Sequence, residues 1–227
     1  IFSIKLLKPK YLLALFLLIF AVSVLYLQSL KAPWVDECYS YYGVWHDNFT
    51  EFYTSMLTGI NFSPPFYFLF NFCIQLVFPT SIEQLRIQSL VFIIIGILLS
   101  FLLTRRIFGT NTAFISTILV ASQSNLLLSQ AQEARHYAMF FACGAWVLLM
   151  QSLNEGGTKK KIWLTFLAHF FLCQIHYLGI IFSSLVGLSL IISRKEKPIL
   201  KRIPFLIFAV WILILSIYLF LLSQQSS

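Results

Sequence analysis

Two adjacent carboxylates, Asp36 and Glu37, follow the first long apolar stretch of the chain. Charged groups at the end of a membrane helix are costly unless they are solvated or paired. A carboxylate at such a boundary can act as a general base that takes a proton from a hydroxyl group. Taken alone, the pair favours an ordinary acidic cap at the start of a helix over a catalytic role.

A second polar segment, residues 131–137, lies in a short turn between two apolar runs and contains Glu133, Arg135, an imidazole and Tyr137. A cation at the start of a helix is unfavourably placed in the helix dipole, so Arg135 needs an anionic partner. That partner is either Glu133, in a surface pair worth about 0–1 kcal/mol, or a ligand phosphate, which a guanidinium binds through two parallel hydrogen bonds.

A third candidate, His176, interrupts the long apolar run 162–193. A histidine in such surroundings either forms a helix–helix contact or belongs to a functional site, because its burial must be compensated. The break at residues 174–179 places His176 near the same membrane face as the first two segments. His169 lies deeper in the run and is interpreted as structural.

The composition predicts an all-α polytopic membrane protein, since 59% of the 227 residues are apolar and 11% are charged. The net charge of +8 comes from short basic clusters between apolar runs. This is the pattern of cytoplasmic loops, so it argues against a nucleic-acid partner. The four cysteines lack CxxC spacing and therefore predict neither a zinc site nor a disulfide framework.

Charge asymmetry predicts the topology. With the basic clusters on the cytoplasmic side, the chain crosses about seven times. Residues 31–84 then form an extracytoplasmic first loop with juxtamembrane helices, among them Pro64–Phe78, which does not cross. The run Ile162–Ser193 crosses twice, and the other predicted spans, each long enough for a hydrocarbon core of about 30 Å, are Tyr11–Leu30, Leu85–Thr104, Thr112–Gln130, Arg135–Leu153 and Pro204–Leu222.

This topology separates the charges. It places thirteen of the sixteen basic residues on the cytoplasmic side, the exceptions being Lys31, Arg86 and Arg135. It places six of the eight acids on the opposite side. Asp36, Glu133 and His176 therefore share one face of the membrane.

The order of these segments resembles the GT-C membrane glycosyltransferases. The similar branch contains the bacterial relatives of dolichyl-phosphate-mannose protein mannosyltransferases and of the lipid A aminoarabinose transferases. The residues that carry the resemblance are Asp36-Glu37, Pro64-Pro65-Phe66-Tyr67, Leu85-Arg86-Ile87-Gln88-Ser89-Leu90, the Glu-Ala-Arg-x-Tyr turn from Glu133 to Tyr137, and His176-Tyr177-Leu178-Gly179.

Residues 1–222 correspond to the family's N-terminal module of seven helices, so residues 1–227 are expected to form a single GT-C-like transmembrane module. The C-terminal half usual in the family is absent from this sequence. Two positions depart from the family pattern. Ser63 stands where a histidine usually precedes the two prolines, and Gln88 stands where the family usually has proline.

The resemblance implies an inverting glycosyltransferase that moves a sugar from a polyprenyl-phosphate donor to a glycan, lipid or protein acceptor on the extracytoplasmic side. Asp36 is the expected general base, with Glu37 beside it as a second catalytic residue. Donor phosphate and substrate are expected to contact Glu133, Arg135, Tyr137 and His176. No cofactor is required. A divalent metal, held by Asp36, Glu37 and Glu133, is an alternative that we do not favour. The expected location is the bacterial cytoplasmic membrane.

Two other functions are compatible with the sequence. One is a transporter or flippase of lipid-linked sugars, although transporters more often place ionisable residues near the membrane midplane. The other is a non-catalytic membrane scaffold module that binds donor lipid without turnover.

Overall fold

The computed structural model describes residues 9–57, 64–123, 127–153 and 158–193. All regular secondary structure within these ranges is helical. The predicted span Pro204–Leu222 lies outside the described residues. The helices are α1 (Pro9–Leu30), α2 (Val35–Val44), α3 (Phe49–Leu57), α4 (Phe66–Gln75), α5 (Ile82–Phe108), α6 (Thr110–Ala121), α7 (Ser129–Ala131), α8 (Tyr137–Leu153), α9 (Lys159–Ile175) and α10 (Tyr177–Ser193).

Two of the described helices, α1 and α5, are long and apolar enough to cross a membrane, with mean hydropathies of 2.3 and 2.5. Large apolar side chains of α1, such as Leu18, Ile19 and Val22, are more than half exposed. A helix that is apolar on its exposed face as well is typical of a lipid environment. Helices α6, α8 and α10 are apolar but have 12, 17 and 17 residues, so within the described residues the length criterion identifies two candidate spans, and the seven predicted crossings are not confirmed.

Helices α1 and α5 run antiparallel. Gln28 donates from its side chain to the Arg86 carbonyl at 3.1 Å, and Leu13, at the other end of α1, packs in one cluster with Phe101. The centre of this contact is apolar and includes Val24 and Ile93, both fully buried. Burial of such side chains contributes about 1.5–3 kcal/mol each.

Helices α5 and α8 run parallel with a constant offset in register. Ser89 donates to the Arg135 carbonyl at 3.4 Å, and Arg106 donates to the Ser152 carbonyl at 3.0 Å. Both pairs are 46 residues apart. Parallel neighbours require the chain to return between them. Helix α6 begins that return. It follows Gly109, which ends α5 with a positive φ of 88°, a conformation that favours glycine.

The predicted break in the last long apolar run is confirmed as a change of helix. Helix α9 ends at Ile175, His176 is extended, and α10 begins at Tyr177. Helix α9 packs against α8, with Val147, Ala168 and Leu172 buried together. Helices α9 and α10 thus divide the apolar run Ile162–Ser193, which was too long for a single crossing.

Within its described residues, 31–57 and 64–84, the predicted first loop forms three short helices, α2, α3 and α4. Helix α4 has 10 residues, a rise of about 15 Å, so the expectation that Pro64–Phe78 does not cross a membrane by itself agrees with its length. Tyr67 and Phe72 of α4 are buried with Val44 of α2 and Ile175 of α9.

The prediction of one continuous span over Thr112–Gln130 is wrong as a helix assignment. Helix α6 ends at Ala121, Ser122 forms a turn and Gln123 is not helical. The apolar composition continues past this point, but the side chains of Ser122 and Gln123 donate to the Leu119 carbonyl, at 2.9 and 3.5 Å. Polar side chains that compete for backbone groups favour such ends.

Two ends of the bundle are therefore distinguishable. The upper end, as we call it, carries the C-terminus of α1 and the N-termini of α5, α8 and α10. The lower end carries Arg105 and Arg106 in the last turn of α5 and the N-terminus of α9 with its lysines. The candidate residues of the sequence all belong to the upper end.

Candidate functional site

An ion pair at the upper end joins Asp36 and Arg135, with Oδ2 and Nη1 2.8 Å apart. Asp36 is in the first turn of α2, and Arg135 is in the turn between α7 and α8. The Asp36 side chain is 39% exposed and that of Arg135 is 22% exposed. The pair is thus accessible, and the structure brings the expected base and the expected phosphate-binding cation together.

Two aromatic rings flank the Arg135 guanidinium. Its central carbon lies 5.5 Å from the centre of the Trp34 ring and 4.9 Å from that of Tyr137. Such contacts stabilise a cation by about 0.5–1 kcal/mol at exposed sites. Trp34 and Tyr137 therefore restrain Arg135 independently of its carboxylate partner.

A second ion pair, between Glu37 and Arg86, is buried beneath the first. Arg86 donates from Nε to Oε1 at 2.8 Å and from Nη2 to Oε2 at 2.6 Å. Backbone N–H groups of Ala134 and Trp34 also donate to the same carboxylate, at 2.9 and 3.3 Å. Glu37 thereby connects α2, α5 and the turn that holds Arg135.

The surroundings of Glu37 keep its carboxyl group ionised. Burial raises its pKa, whereas the hydrogen bonds from Arg86 and Ala134 and the charge of Arg86 lower it, and the net pKa is below the ordinary value. Because both oxygens are occupied and the side chain is 0% exposed, the geometry of Glu37 is that of a positioning residue.

A third pair links Glu133 to Lys31, with Nζ and Oε1 2.9 Å apart, and Ser129 donates to the same oxygen at 3.0 Å. The alternative of a Glu133–Arg135 side-chain pair is therefore not the arrangement found. Those two residues are joined instead by a backbone hydrogen bond, from the Arg135 N–H to the Glu133 carbonyl. Each of the three carboxylates faces a different basic side chain.

Two histidine rings lie in contact next to Arg135, with their planes inclined by 37°. The ring centres of His136 and His176 are 4.9 Å apart, and Tyr137 lies 4.4 and 5.5 Å from them. Burial, His176 and Arg135 lower the pKa of His136 to about 3. Burial and Arg135 also lower the pKa of His176. Both imidazoles are thus neutral at physiological pH and add no positive charge to Arg135.

His136 has an unsatisfied polar atom. The residue is 6% exposed, and its Nε2 atom is buried without a hydrogen-bond partner. His176, by contrast, accepts a hydrogen bond at Nδ1 from the Leu178 N–H at 3.0 Å. An unpaired buried polar group costs about 1–3 kcal/mol, so the cost of burying His136 is not offset within the described part of the chain.

An apolar cavity of about 320 Å³ lies between α4, α5, α8 and α9. Its lining includes Phe92 on α5 and Met139 on α8. Met139 is one helical turn from His136, so the cavity approaches the histidines from the lower side. The remaining lining residues are Phe66, Phe70, Ile95, Leu99, Ala142, Cys143, Trp146 and Phe171.

The interpretation of His169 as structural agrees with its contacts. It is 1% exposed and lies between α8 and α10, where its ring nitrogens are 3.1 Å from Gln151 Nε2 and 2.6 Å from Ser183 Oγ. Both nitrogens therefore have protein partners. His169, with Gln151 and Ser183, connects α8, α9 and α10 well below the ion pairs.

Sequence reasoning assigned no role to Arg86, Trp34, Lys31 or His136. Arg86 had a detectable signal, because a charge at the start of an apolar run needs a partner. The roles of Trp34 and Lys31 depend on how the turns fold back, which residue types alone do not show. His136 belongs to the predicted polar turn, but its residue type alone does not show that its ring is buried.

Among the described residues, no group of three histidine, cysteine or acidic side chains is arranged to hold a metal ion. Comparison of the chain with protein-family models, with curated proteins and with solved structures finds no match.

Proposed function

We propose that the protein is an inverting glycosyltransferase that transfers a sugar from a polyprenyl-phosphate donor to an acceptor hydroxyl at the upper end of the bundle. The observation that carries this proposal is the 2.8 Å approach of Asp36 to Arg135. A proton acceptor and a phosphate-binding cation, from parts of the chain about a hundred residues apart, meet at one accessible point. The resemblance to GT-C enzymes supplies the reaction class.

In the proposed reaction, Asp36 takes the proton of the acceptor hydroxyl. The acceptor oxygen forms a bond to the anomeric carbon as the bond from that carbon to the phosphate oxygen breaks. The electron pair leaves with the polyprenyl phosphate. Arg135 stabilises the charge that grows on this phosphate, which is the type of interaction that contributes most to such transfers. Attack opposite the leaving group inverts the anomeric centre.

The neighbouring residues support these two roles. Glu37 and Arg86 fix the start of α2, and therefore Asp36, against the Arg135 turn. Glu133 is held by Lys31 and Ser129 beside that turn. The neutral rings of His136 and His176, with Tyr137, offer hydrogen-bonding and stacking groups for the sugar. Since the apolar cavity is one turn away, a lipid-linked donor is the substrate class that fits best.

Transport of a lipid-linked sugar is the second candidate. A specific observation relevant to it is the buried polar group at His169, because transporters use polar sites near the midplane. Its nitrogens are already bonded to Gln151 and Ser183. The accessible ion pair at the upper end therefore favours transfer.

The test is a transfer assay on the purified protein with undecaprenyl-phosphate mannose and undecaprenyl-phosphate glucose as labelled donors and a mixed acceptor extract. We expect labelled product with the unmodified protein and a loss of at least about a hundredfold with Asp36→Asn, as for other general bases. Glu83→Gln, an exposed acid in the first turn of α5, is the matched control and should retain activity. Full activity of a folded Asp36→Asn variant would remove Asp36 as the base.

A further inference from the structure

Asp36, the expected base, and Arg135, the expected phosphate-binding group, neutralise each other in this structure. Asp36 Oδ2 is 2.8 Å from Arg135 Nη1. A donor phosphate needs the same guanidinium, and an acceptor hydroxyl needs a carboxylate that is not already paired. Both substrates therefore compete with one internal contact.

We propose that Arg135 exchanges partners, so that the donor phosphate displaces Asp36 from Arg135 and the acceptor can use Asp36 only after the donor has bound. This inference rests on the proposed function, since it assigns the order in which its two substrates bind. Asp36 thus closes the site in the absence of donor and becomes the base in its presence.

The environment of the pair permits this exchange. The Asp36 and Arg135 side chains are partly exposed, at 39% and 22%, and surface pairs are worth about 0–1 kcal/mol. The Glu37–Arg86 pair beneath it is 0% and 3% exposed, a setting in which loss of one partner is strongly unfavourable. Of these two adjacent pairs, the upper one can open while the lower one holds α2 in place.

Arg135 keeps its position during the exchange because other contacts hold it. Its guanidinium lies over the rings of Trp34 and Tyr137, at 5.5 and 4.9 Å, and its carbonyl accepts a hydrogen bond from Ser89. Departure of Asp36 leaves these contacts intact. Trp34 is therefore a positioning residue that acts on the donor phosphate through Arg135.

Asp36 has few restraints of its own. Its side chain pairs with Arg135, and its backbone carbonyl accepts a hydrogen bond from Ser40 at 3.1 Å, within α2. A rotation of one short side chain therefore opens the pair without movement of the helix. Release of Asp36 also places its charge next to the incoming hydroxyl.

The first test measures binding without transfer. The affinity of undecaprenyl phosphate for the purified protein is compared for the unmodified chain, Asp36→Asn, Asp36→Ser and the charge control Glu83→Gln. Removal of the competing carboxylate should tighten binding about two- to fivefold in both Asp36 variants, as expected for loss of a surface pair. Glu83→Gln should leave binding unchanged. Unchanged or weaker binding in a folded Asp36 variant would overturn the exchange.

Arg135 and Trp34 provide the complementary variants. Arg135→Gln should weaken undecaprenyl phosphate binding and abolish the gain from Asp36→Asn in the double variant. Trp34→Leu should weaken binding several-fold, whereas Trp34→Phe, which keeps an aromatic ring, should retain most of the affinity. If Trp34 had only a structural role, both variants would lower thermal stability equally. Undecaprenol, which lacks the phosphate, should bind all these variants alike.

The second test uses the order of binding in the unmodified protein. If the donor binds first, undecaprenyl phosphate should inhibit competitively against donor and non-competitively against acceptor. Uncompetitive inhibition against acceptor, which is the pattern expected when the acceptor binds first, would contradict this order. Should no transfer be detected with any donor, the proposed function fails, while the binding comparison still decides whether Asp36 and a phosphate compete for Arg135.

Discussion

Glu37 and Arg86 form a two-point ion pair in which neither side chain is more than 3% exposed. The carbonyls of Gln28, Lys31 and Ala32 accept the remaining N–H groups of Arg86 at 2.8–3.2 Å. One guanidinium thus fastens the C-terminal end of α1, the start of α2 and the first turn of α5. This arrangement determines where the neighbouring Asp36 lies.

Glu37→Gln should destabilise the protein by about 3–5 kcal/mol, because it leaves the Arg86 charge buried without its partner. The measurement is thermal unfolding of the purified protein in detergent, with Glu83→Gln as an exposed acidic control. The double variant Glu37→Leu/Arg86→Met should recover much of the loss, since apolar replacement of a whole buried pair is often neutral. A fully stable Glu37→Gln protein would show that the pair does not hold α2.

Much of the helix pattern was predictable from hydrophobic runs. Predicted spans overlap α1, α5 and α8, and the break around His176 matches the start of α10. Continuous apolar composition and its interruption carry this information directly. The end of α6 at Ala121 was not predicted, because Ser122 and Gln123 are only weakly polar interruptions and their local hydrogen bonds are invisible in a hydropathy profile.

The proximity of the candidate residues was predictable, whereas their pairing was not. Asp36, Glu37, Glu133, Arg135, Tyr137 and His176 do lie at one end of the bundle. Which cation each acid meets depends on the 46-residue register of α5 against α8 and on the path of the turns. For that reason the sequence allowed a Glu133–Arg135 pair, whereas the structure joins Glu133 to Lys31.

The parallel packing of α5 against α8 leads to a second prediction. A Cβ added at Gly96 would overlap the Phe141 ring and lie 3.2 Å from the Cα of Ala142, whereas a Cβ at Gly144 would have no neighbour within 4 Å. Gly96→Ala should therefore lower stability by about 1–3 kcal/mol, as overpacking does. Gly144→Ala should be neutral or stabilising.

The same unfolding measurement separates these variants, and Gly96→Ala/Phe141→Leu should recover part of the loss by removing the ring. Equal stability of Gly96→Ala and Gly144→Ala would mean that α5 and α8 are not in this register.

The histidines next to Arg135 lead to a prediction on pH. Burial lowers the pKa of His136 from 6.5 to about 3, so the unfolded chain binds a proton that the folded chain does not between these values. Stability should therefore fall as pH decreases below about 6.5, by up to about 1.4 kcal/mol per pH unit for this group. His136→Phe should show a shallower decline, because it removes this proton uptake.

Unfolding free energies measured at pH 5, 6 and 7 in one detergent would test this. The decline of stability with decreasing pH should not vanish in His136→Phe, because the pKa of His176 is lowered as well. His176→Phe should also reduce the slope. Identical slopes for the unmodified protein and His136→Phe would show that His136 is not buried as a neutral ring.

The buried group at His169 distinguishes transfer from transport. His169→Leu removes the His169 partner of both Gln151 and Ser183, although Ser183 still accepts from the Cys173 thiol, and should lower stability by about 1–2 kcal/mol. The triple variant His169→Leu/Gln151→Leu/Ser183→Ala should regain part of this, because it removes all three of these polar side chains. Transfer by folded His169→Leu should stay within about twofold of the unmodified protein, since the cluster lies away from Asp36 and Arg135. Complete loss of function in a folded, stable triple variant would instead place the working site in the middle of the bundle and favour transport.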